Sequence, residues 1–277
     1  MSIITISHEA FGDGRAIAER VAGILGYRCI SREVLVEASK RYGIAEAKFF
    51  EILEEKPHHW WTQLLESRGV YRIVLQATIC ELAQEGDLVY HGRAGQEFFP
   101  GIRHVLNVFI DTPREFRIQQ VKTRKGLSEE AANEYLEELD RIRARRMKEL
   151  FNIDWRDPAR YDLVLNTARM SVETAARFIA EVSQKEEYRP TAESLEAIND
   201  LTVNARVQAV LSTSRDIRIS NLEVQTKGGE VFVSGITEAK ALEQLIIDTI
   251  RKIPGVRGVK TSFVVTPPDQ YLYGDGR

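Results

Sequence analysis

Cysteine is nearly absent from this chain, at two residues in 277, which excludes the disulfide framework of a small secreted domain. Both thiols, Cys29 and Cys80, sit in apolar surroundings and read as reduced core residues. No apolar run approaches the roughly 18 residues that a membrane-spanning helix requires. The N-terminus has strand character and lacks the basic start of a secretory signal, so a cytoplasmic location is expected. Neither sign of charge dominates: the net value of −3 gives no general reason to expect a nucleic-acid partner. Low-complexity tracts and internal repeats are missing as well. What remains, 43% apolar and 29% charged residues, is the composition of a soluble globular protein with length for one large domain or two.

A further absence lies inside a motif. Ile3–Ile6 is a short apolar run that reads as a buried strand, glycines follow at 12 and 14, and Ile17, Val21, Ile24 and Leu25 then recur at helical spacing. Strand, glycine loop and helix form a phosphate-binding layout, because the loop's N–H groups and the positive helix N-terminus point at one anion. A full Walker loop reads G-x-x-x-x-G-K-[ST]. Here Glu9 replaces the first glycine, Arg15 the lysine and Ala16 the hydroxyl residue. The place for a phosphate is kept, while the usual lysine and magnesium-binding hydroxyl are not.

The first 183 residues alternate strand-like and helix-like segments. Strands are expected at 26–30, 87–91, 105–110 and 161–166. Helices are expected after Ser31, from about Val70 to Glu85, after Thr112, from Ser128 to about Leu150, and after Ser171. At Thr112-Pro113-Arg114-Glu115 the threonine reads as the cap, the proline as the first helical residue and the glutamate as the closing member of a capping box. This alternation implies an α/β fold, a parallel sheet with helices on both faces. The polar, proline-ended stretch within 184–192 reads as a linker. An α-β-β-α-β pattern over 193–266 follows, with a turn at Gly228-Gly229, and 267–277 reads as a flexible tail. The expectation is a domain at 1–183 and a small α+β domain, each folding alone, with the linker cut first by proteases.

Several separated segments together resemble the cytidylate kinase-like family. They are Ile4–Glu9 with Gly14–Ala18, Gly26-Tyr27 with Ser31–Val34, Gly92-Arg93, Phe116-Arg117 with Gly126–Ala131, Asp140 with Arg143, and Asp154-Trp155 with Asp157-Pro158 and Tyr161–Thr167. The resemblance implies a P-loop nucleoside monophosphate kinase fold, ATP with Mg2+ as donor, and a pyrimidine monophosphate such as CMP or dCMP as acceptor. The second unit resembles a BON domain at Val224, Gly228–Gly235, Ile253–Val256 and Val259. That resemblance implies a small ligand or phospholipid as its partner.

Phosphoryl transfer needs positive charge around the migrating group and little covalent work from the protein. Phe11, Gly12, Asp13, Gly14, Arg15 and Ala16 are the candidates for the ATP phosphates, with Arg15 also acting on the transition state. Residues 114–148 hold ten Lys/Arg against seven Asp/Glu, which alone describes solvated helices. The resemblance turns them into a lid: Arg117 and Arg143 catalytic, Arg124 on ATP, and Asp140 orienting them. Arg32 and Arg93 are chosen for the acceptor's monophosphate, since a guanidinium suits a phosphate's geometry. No residue is assigned to a metal. His58-His59-Trp60-Trp61 lacks zinc-like spacing and reads as a packing patch or flap. Two functions stay open: a kinase, and a weak or inactive nucleotide-binding sensor whose second domain relays occupancy or docks a partner or lipid. A cell-envelope scaffold is disfavoured by the missing export signal and the near-neutral second unit.

Overall fold

The protein's computed structural model describes residues 2–31, 33–44 and 64–266, with side chains of 64–68 outside that description. Arg32, the His58–Trp61 patch and the 267–277 tail lie outside the described residues. The opening apolar run forms β1 (Ile3–His8), which is buried from Ile3 to Ser7. It is joined by β2 (Arg28–Ile30), β3 (Leu88–Gly92), β4 (Val105–Asp111) and β5 (Leu163–Asn166) in the order β2-β3-β1-β4-β5. Every pairing in this sheet is parallel. Because side chains alternate across a strand, Ile3 enters one core while Ile4 and Ile6 enter the core on the opposite face. Helices α1 (Gly14–Leu25) and α6 (Val172–Ser183) cover the second face. Helices α2 (Glu33–Tyr42) and α3 (Leu64–Gln84) cover the first.

Helices α4 (Arg114–Lys125) and α5 (Glu129–Phe151) stand together beyond the sheet's C-terminal edge. The expected caps at Ser128 and Ser171 form, with Ser128 Oγ accepting from Ala131 N and Ser171 Oγ from Thr174 N. The capping box at Thr112 does not. Pro113 is itself the cap of α4, without a side-chain bond, and the helix begins at Arg114. Thr112 is 2% exposed and committed elsewhere, its backbone N–H donating to the Glu9 carboxylate and its hydroxyl accepting from Thr167. Neither cysteine forms a disulfide, and Cys80 Sγ donates to the Phe98 carbonyl; burial pushes Cys29 up to about 11 and raises Cys80 as well, so neither is a thiolate at neutral pH.

Past a short 3-10 turn at Glu186–Tyr188, in the proposed linker, α7 (Ala192–Thr213) starts in a capping box between Thr191 and Ser194. It leads to β6 (Ile219–Lys227) and β7 (Glu230–Thr237), an antiparallel pair, then to α8 (Leu242–Arg251) and β8 (Gly258–Val265), parallel to β7. The hairpin turn needs positive φ at both central residues, which Gly228 (+57°) and Gly229 (+80°) supply. Their N–H groups donate to Asp200 of α7, tying the hairpin to the helix.

The α7 helix belongs to both parts of the molecule. Ile198, Ala205 and Ala209 complete the core under α3, whereas Val203, Val207 and Leu211 fill the core of the three-stranded sheet. Arg206 clasps the two: Nε donates to buried Glu81 of α3 at 2.6 Å, and Nη1 donates to the Pro254 carbonyl at 3.2 Å. Glu81 also accepts from Arg41 and Tyr42 of α2. The expected independence of the two halves thus meets a shared helix. At about 1.5–3 kcal/mol per fully buried large side chain, losing Ile198 costs roughly that much, and partly buried Leu201 adds a smaller amount. That is a sizeable part of the stability of an ordinary domain, about 5–15 kcal/mol. A fragment of residues 1–185 is therefore expected to unfold at lower urea than one of residues 1–213. Equal midpoints would return the boundary to the linker.

Candidate active site

Parallel pairing sets Ser7 opposite Gly92, so the C-terminal ends of β1 and β3 lie side by side. Ligands bind in α/β sheets outside such ends, where the order of strands reverses. A small cavity of about 10 Å³, room for roughly one water molecule, lies there, lined by Ser7, His8, Gly92, Arg93, Arg143 and Trp155, among others, so a phosphate group enters only as this lining moves apart. Arg143 comes from α5, is 6% exposed, and donates to the His8 carbonyl at 3.4 Å. Two guanidinium groups stand over the Trp155 ring, Arg143 at 5.2 Å and Arg156 at 5.1 Å from its centroid. Its indole N–H is buried and makes no hydrogen bond. Ser7 donates to Gln96 Oε1, and the buried Gln96 Nε2 has no hydrogen-bond partner.

The glycine loop joins β1 to α1. A Cβ at Gly12 would overlap the Thr112 hydroxyl, and one at Gly14 would overlap the His8 side chain, so both positions require glycine. Phe11, between them and β1, takes the left-handed conformation at φ +62° without being glycine. Such a residue costs on the order of 1–2 kcal/mol. The offset is visible: Phe11 packs edge-on against Tyr135 in the apolar cluster of Val121, Leu136 and Leu139, with Arg124 above its ring. The loop is thereby fastened to the α4–α5 pair.

Beneath the loop lies a network of two carboxylates and two guanidinium groups. Glu9, 5% exposed, accepts from Arg156 at 2.8 Å and faces Arg117 at 3.4 Å. Asp140 takes both Arg117 Nη atoms, at 2.9 and 2.6 Å, and Arg156 Nη2 at 2.9 Å. Arg117 Nε donates to the Ala10 carbonyl. Burial works to raise the Asp140 pKa, but the hydrogen bonds and charges of Arg117 and Arg156 outweigh it and hold the carboxyl below its ordinary value.

Of the residues chosen from the sequence, Arg93 and Arg143 meet at the cavity. Arg117 lies 2% exposed under the loop, held by Asp140, Glu9 and Ala10. Asp13 caps α1 without a side-chain bond, and Gly14 begins the helix. Arg15 does not reach the cavity lining; its side chain is 76% exposed and paired with Glu19 at 2.7 Å. Ala16 is exposed, and Arg124 stands over Phe11. Sequence reasoning missed His8, Trp155 and Arg156, and read Glu9 only as a lost glycine. A carboxylate directly after a buried strand has to find a cation, and that signal was available.

The side chains do not fit a resident magnesium ion. Position 16 offers a methyl group, β3 ends in His91-Gly92, and the oxygens of Glu9 and Asp140 face arginines. Among the described residues no group of three or more His, Cys, Asp or Glu forms a metal site.

Comparison with known proteins agrees with this fold. The profile of the cytidylate kinase-like family matches residues 3–169, and that of the BON domain matches 199–267. The cytidylate kinase of Methanopyrus kandleri is 25% identical over 178 residues, covering 61% of this chain and 86% of that one. That of Methanothermobacter thermautotrophicus is 27% identical over 175 residues, covering 62% and 99%. The cytidylate kinase of Methanocaldococcus jannaschii is 32% identical over 95 residues, 34% of this chain and 53% of its own. The crystal structure of an uncharacterized protein from Eubacterium ventriosum covers 66% of this chain and 97% of its own, with a TM-score of 0.51 at 20% identity, which speaks for the fold alone. With a five-stranded parallel sheet, a glycine loop after its central strand and matching sequence through Arg169, the chain belongs to the cytidylate kinase-like family and carries a C-terminal BON domain.

Proposed function

We propose that the protein transfers a phosphoryl group from ATP to a nucleoside monophosphate, CMP or dCMP, and that the BON domain is a regulatory or ligand-binding module. The observation that carries this reading is the convergence of Arg93 and Arg143, from different elements, on one cavity beside the glycine loop. Two guanidinium groups at the carboxyl ends of β1 and β3 suit the phosphate of the acceptor. The loop's N–H groups and the N-terminus of α1 suit the donor's phosphates. A coupled ADP-release assay over a panel of monophosphates tests the reading. Turnover confined to cytidine nucleotides would support it, and no turnover with any of them would sink it.

Arg15 enters this reading as a recruit. Its partner Glu19 is an exposed neighbour one turn away, and such pairs hold weakly in water, so a nucleotide phosphate can draw the guanidinium over. Arg15→Ala is then expected to lower kcat about 10²-fold, the scale for losing one transition-state charge contact. An unchanged kcat would make Arg15 an ordinary surface residue.

A second reading is favoured by one observation. Arg117 is saturated by Asp140, Glu9 and a carbonyl, and the site offers no magnesium cage. On this reading the loop holds a nucleotide without turnover, and α7 passes occupancy to the BON domain. Measurable ATP binding with no turnover would select it. Among the described residues no helix is long and apolar enough to cross a membrane, and a phospholipid or small ligand at the BON domain stays a proposal.

A further inference from the structure

The cavity has a feature that neither the glycine loop nor the arginines explain. His8 is the last residue of β1, and its ring lies where a Cβ on Gly14 would be, against the first turn of α1. Nδ1 is 3.0 Å from the Glu9 carbonyl. A carbonyl only accepts, so Nδ1 carries the hydrogen and Nε2 of the neutral ring is a bare acceptor. In that state the ring repels a phosphate oxygen. Protonated, it would donate to one.

The groups around His8 are mostly cationic. Arg93 comes from the turn after β3, Arg143 from α5, and the His91 ring of β3 stands 5.9 Å away, centroid to centroid. The neighbouring Glu9 carboxylate is turned to Arg117 and Arg156, while Arg15, Glu19 and Glu33 act on His91 from α1 and α2. Burial first, then Arg143, His91 and Arg93, hold the His8 pKa down to about 4 against the opposing bond to Glu9, so the ring is neutral at neutral pH in the empty cavity. A bound dianion reverses the sign of that field.

We propose that a phosphate group entering this cavity is bound together with one proton, taken from solvent onto His8 Nε2, so that His8 becomes the cation that the loop lacks. The proposal rests on reading the cavity as a phosphate site. By linkage, an anion that raises the His8 pKa binds more weakly as pH rises from the pKa of the empty state towards that of the occupied state, and the affinity is level outside that window. The slope inside it is about tenfold per pH unit for one proton. Histidine thus takes a role that a lysine would fill without any pH dependence.

Sulfate is the probe, because it stays a dianion throughout the range and any pH dependence belongs to the protein. Calorimetric titration of the full chain with sulfate at pH 5, 6, 7 and 8 is expected to show affinity falling about fivefold from pH 5 to 6, about twofold from 6 to 7, and levelling above that. His8→Gln should flatten the profile, and His91→Gln should leave its slope in place. A flat wild-type profile, a slope that survives His8→Gln or one lost in His91→Gln, or no sulfate binding would overturn the proposal. A proton NMR titration of the five histidines serves even if a variant fails to fold. One of them should titrate near 4 and rise by about two units with saturating sulfate; a smaller rise or none overturns the idea. CMP turnover with a flat sulfate profile would remove the His8 role alone. A sloping sulfate profile without turnover on any monophosphate would remove the kinase reading alone.

Discussion

Arg143→Ala is expected to lower turnover with CMP by about 10² to 10³-fold, the largest kinetic effect of any single replacement in the protein. The side chain is 6% exposed, so its charge acts through little water, where an electrostatic contact is worth several times its value at the surface. It lines the cavity, stacks on Trp155 and donates to the His8 carbonyl, which fixes its direction before any ligand arrives. Charge held in place needs no reorganisation as the phosphoryl group moves, so the loss is expected in kcat more than in KM. Arg143→Lys should recover only part of it, because the planar fork and the stacking are lost together. Steady-state kinetics, with circular dichroism to confirm folding, decides the matter. A kcat within threefold of wild type would take Arg143 out of the chemistry.

The largest expected effect on stability comes from Asp140→Ala. Removing this carboxylate leaves Arg117, at 2% exposure, facing only the more distant Glu9 and one carbonyl. Breaking one side of a buried pair costs about 3–5 kcal/mol, and the remaining Glu9 contact points to the lower end, about 3 kcal/mol by urea titration. Replacing both partners, Asp140→Leu with Arg117→Met, should restore most of that loss, since no buried charge is then stranded. A double variant no more stable than the single one would mean that the network acts by shape. The same carboxyl sets a pH dependence. Its pKa is depressed in the folded state, so its contribution is complete above the unfolded value and is lost as pH falls through the folded one. Stability in acid should therefore decline more steeply in wild type than in the double variant.

The fold was legible wherever pattern reports burial. The run Ile3–Ile6, the strand at Val105–Ile110 and the helix ends at Ser128 and Ser171 came out as read, because apolar periodicity and caps are local signals. Thr112 misled for a tertiary reason: its neighbours in sequence fit a capping box, but its hydroxyl and N–H are taken by Thr167 and Glu9, which no local pattern reveals. At the site, Arg93 and Arg143, singled out in the sequence through the family resemblance, both line the cavity, one just past the end of β3 and one from within α5. The pairing of Glu9 with Arg156, 147 residues apart, was out of reach, since sequence names charges without saying which of them meet. The double membership of α7 was also hidden. Ile198, Val203, Ala205, Val207 and Leu211 read as one apolar helix, and only the packing shows that they face two cores.

That shared helix also sets a clock during synthesis. The core under α3 is filled by Ile198, Ala205 and Ala209, the last of them roughly two dozen residues past the expected end of the first domain at 183. At the usual 5–20 residues per second, a ribosome needs about 1–5 s to make that stretch once the first domain has emerged. For that interval the nascent first domain carries an uncovered apolar flank, open to a chaperone or to the same flank of a neighbouring chain on the polysome. The BON domain therefore arrives as the end of a segment that the first domain needs to finish folding.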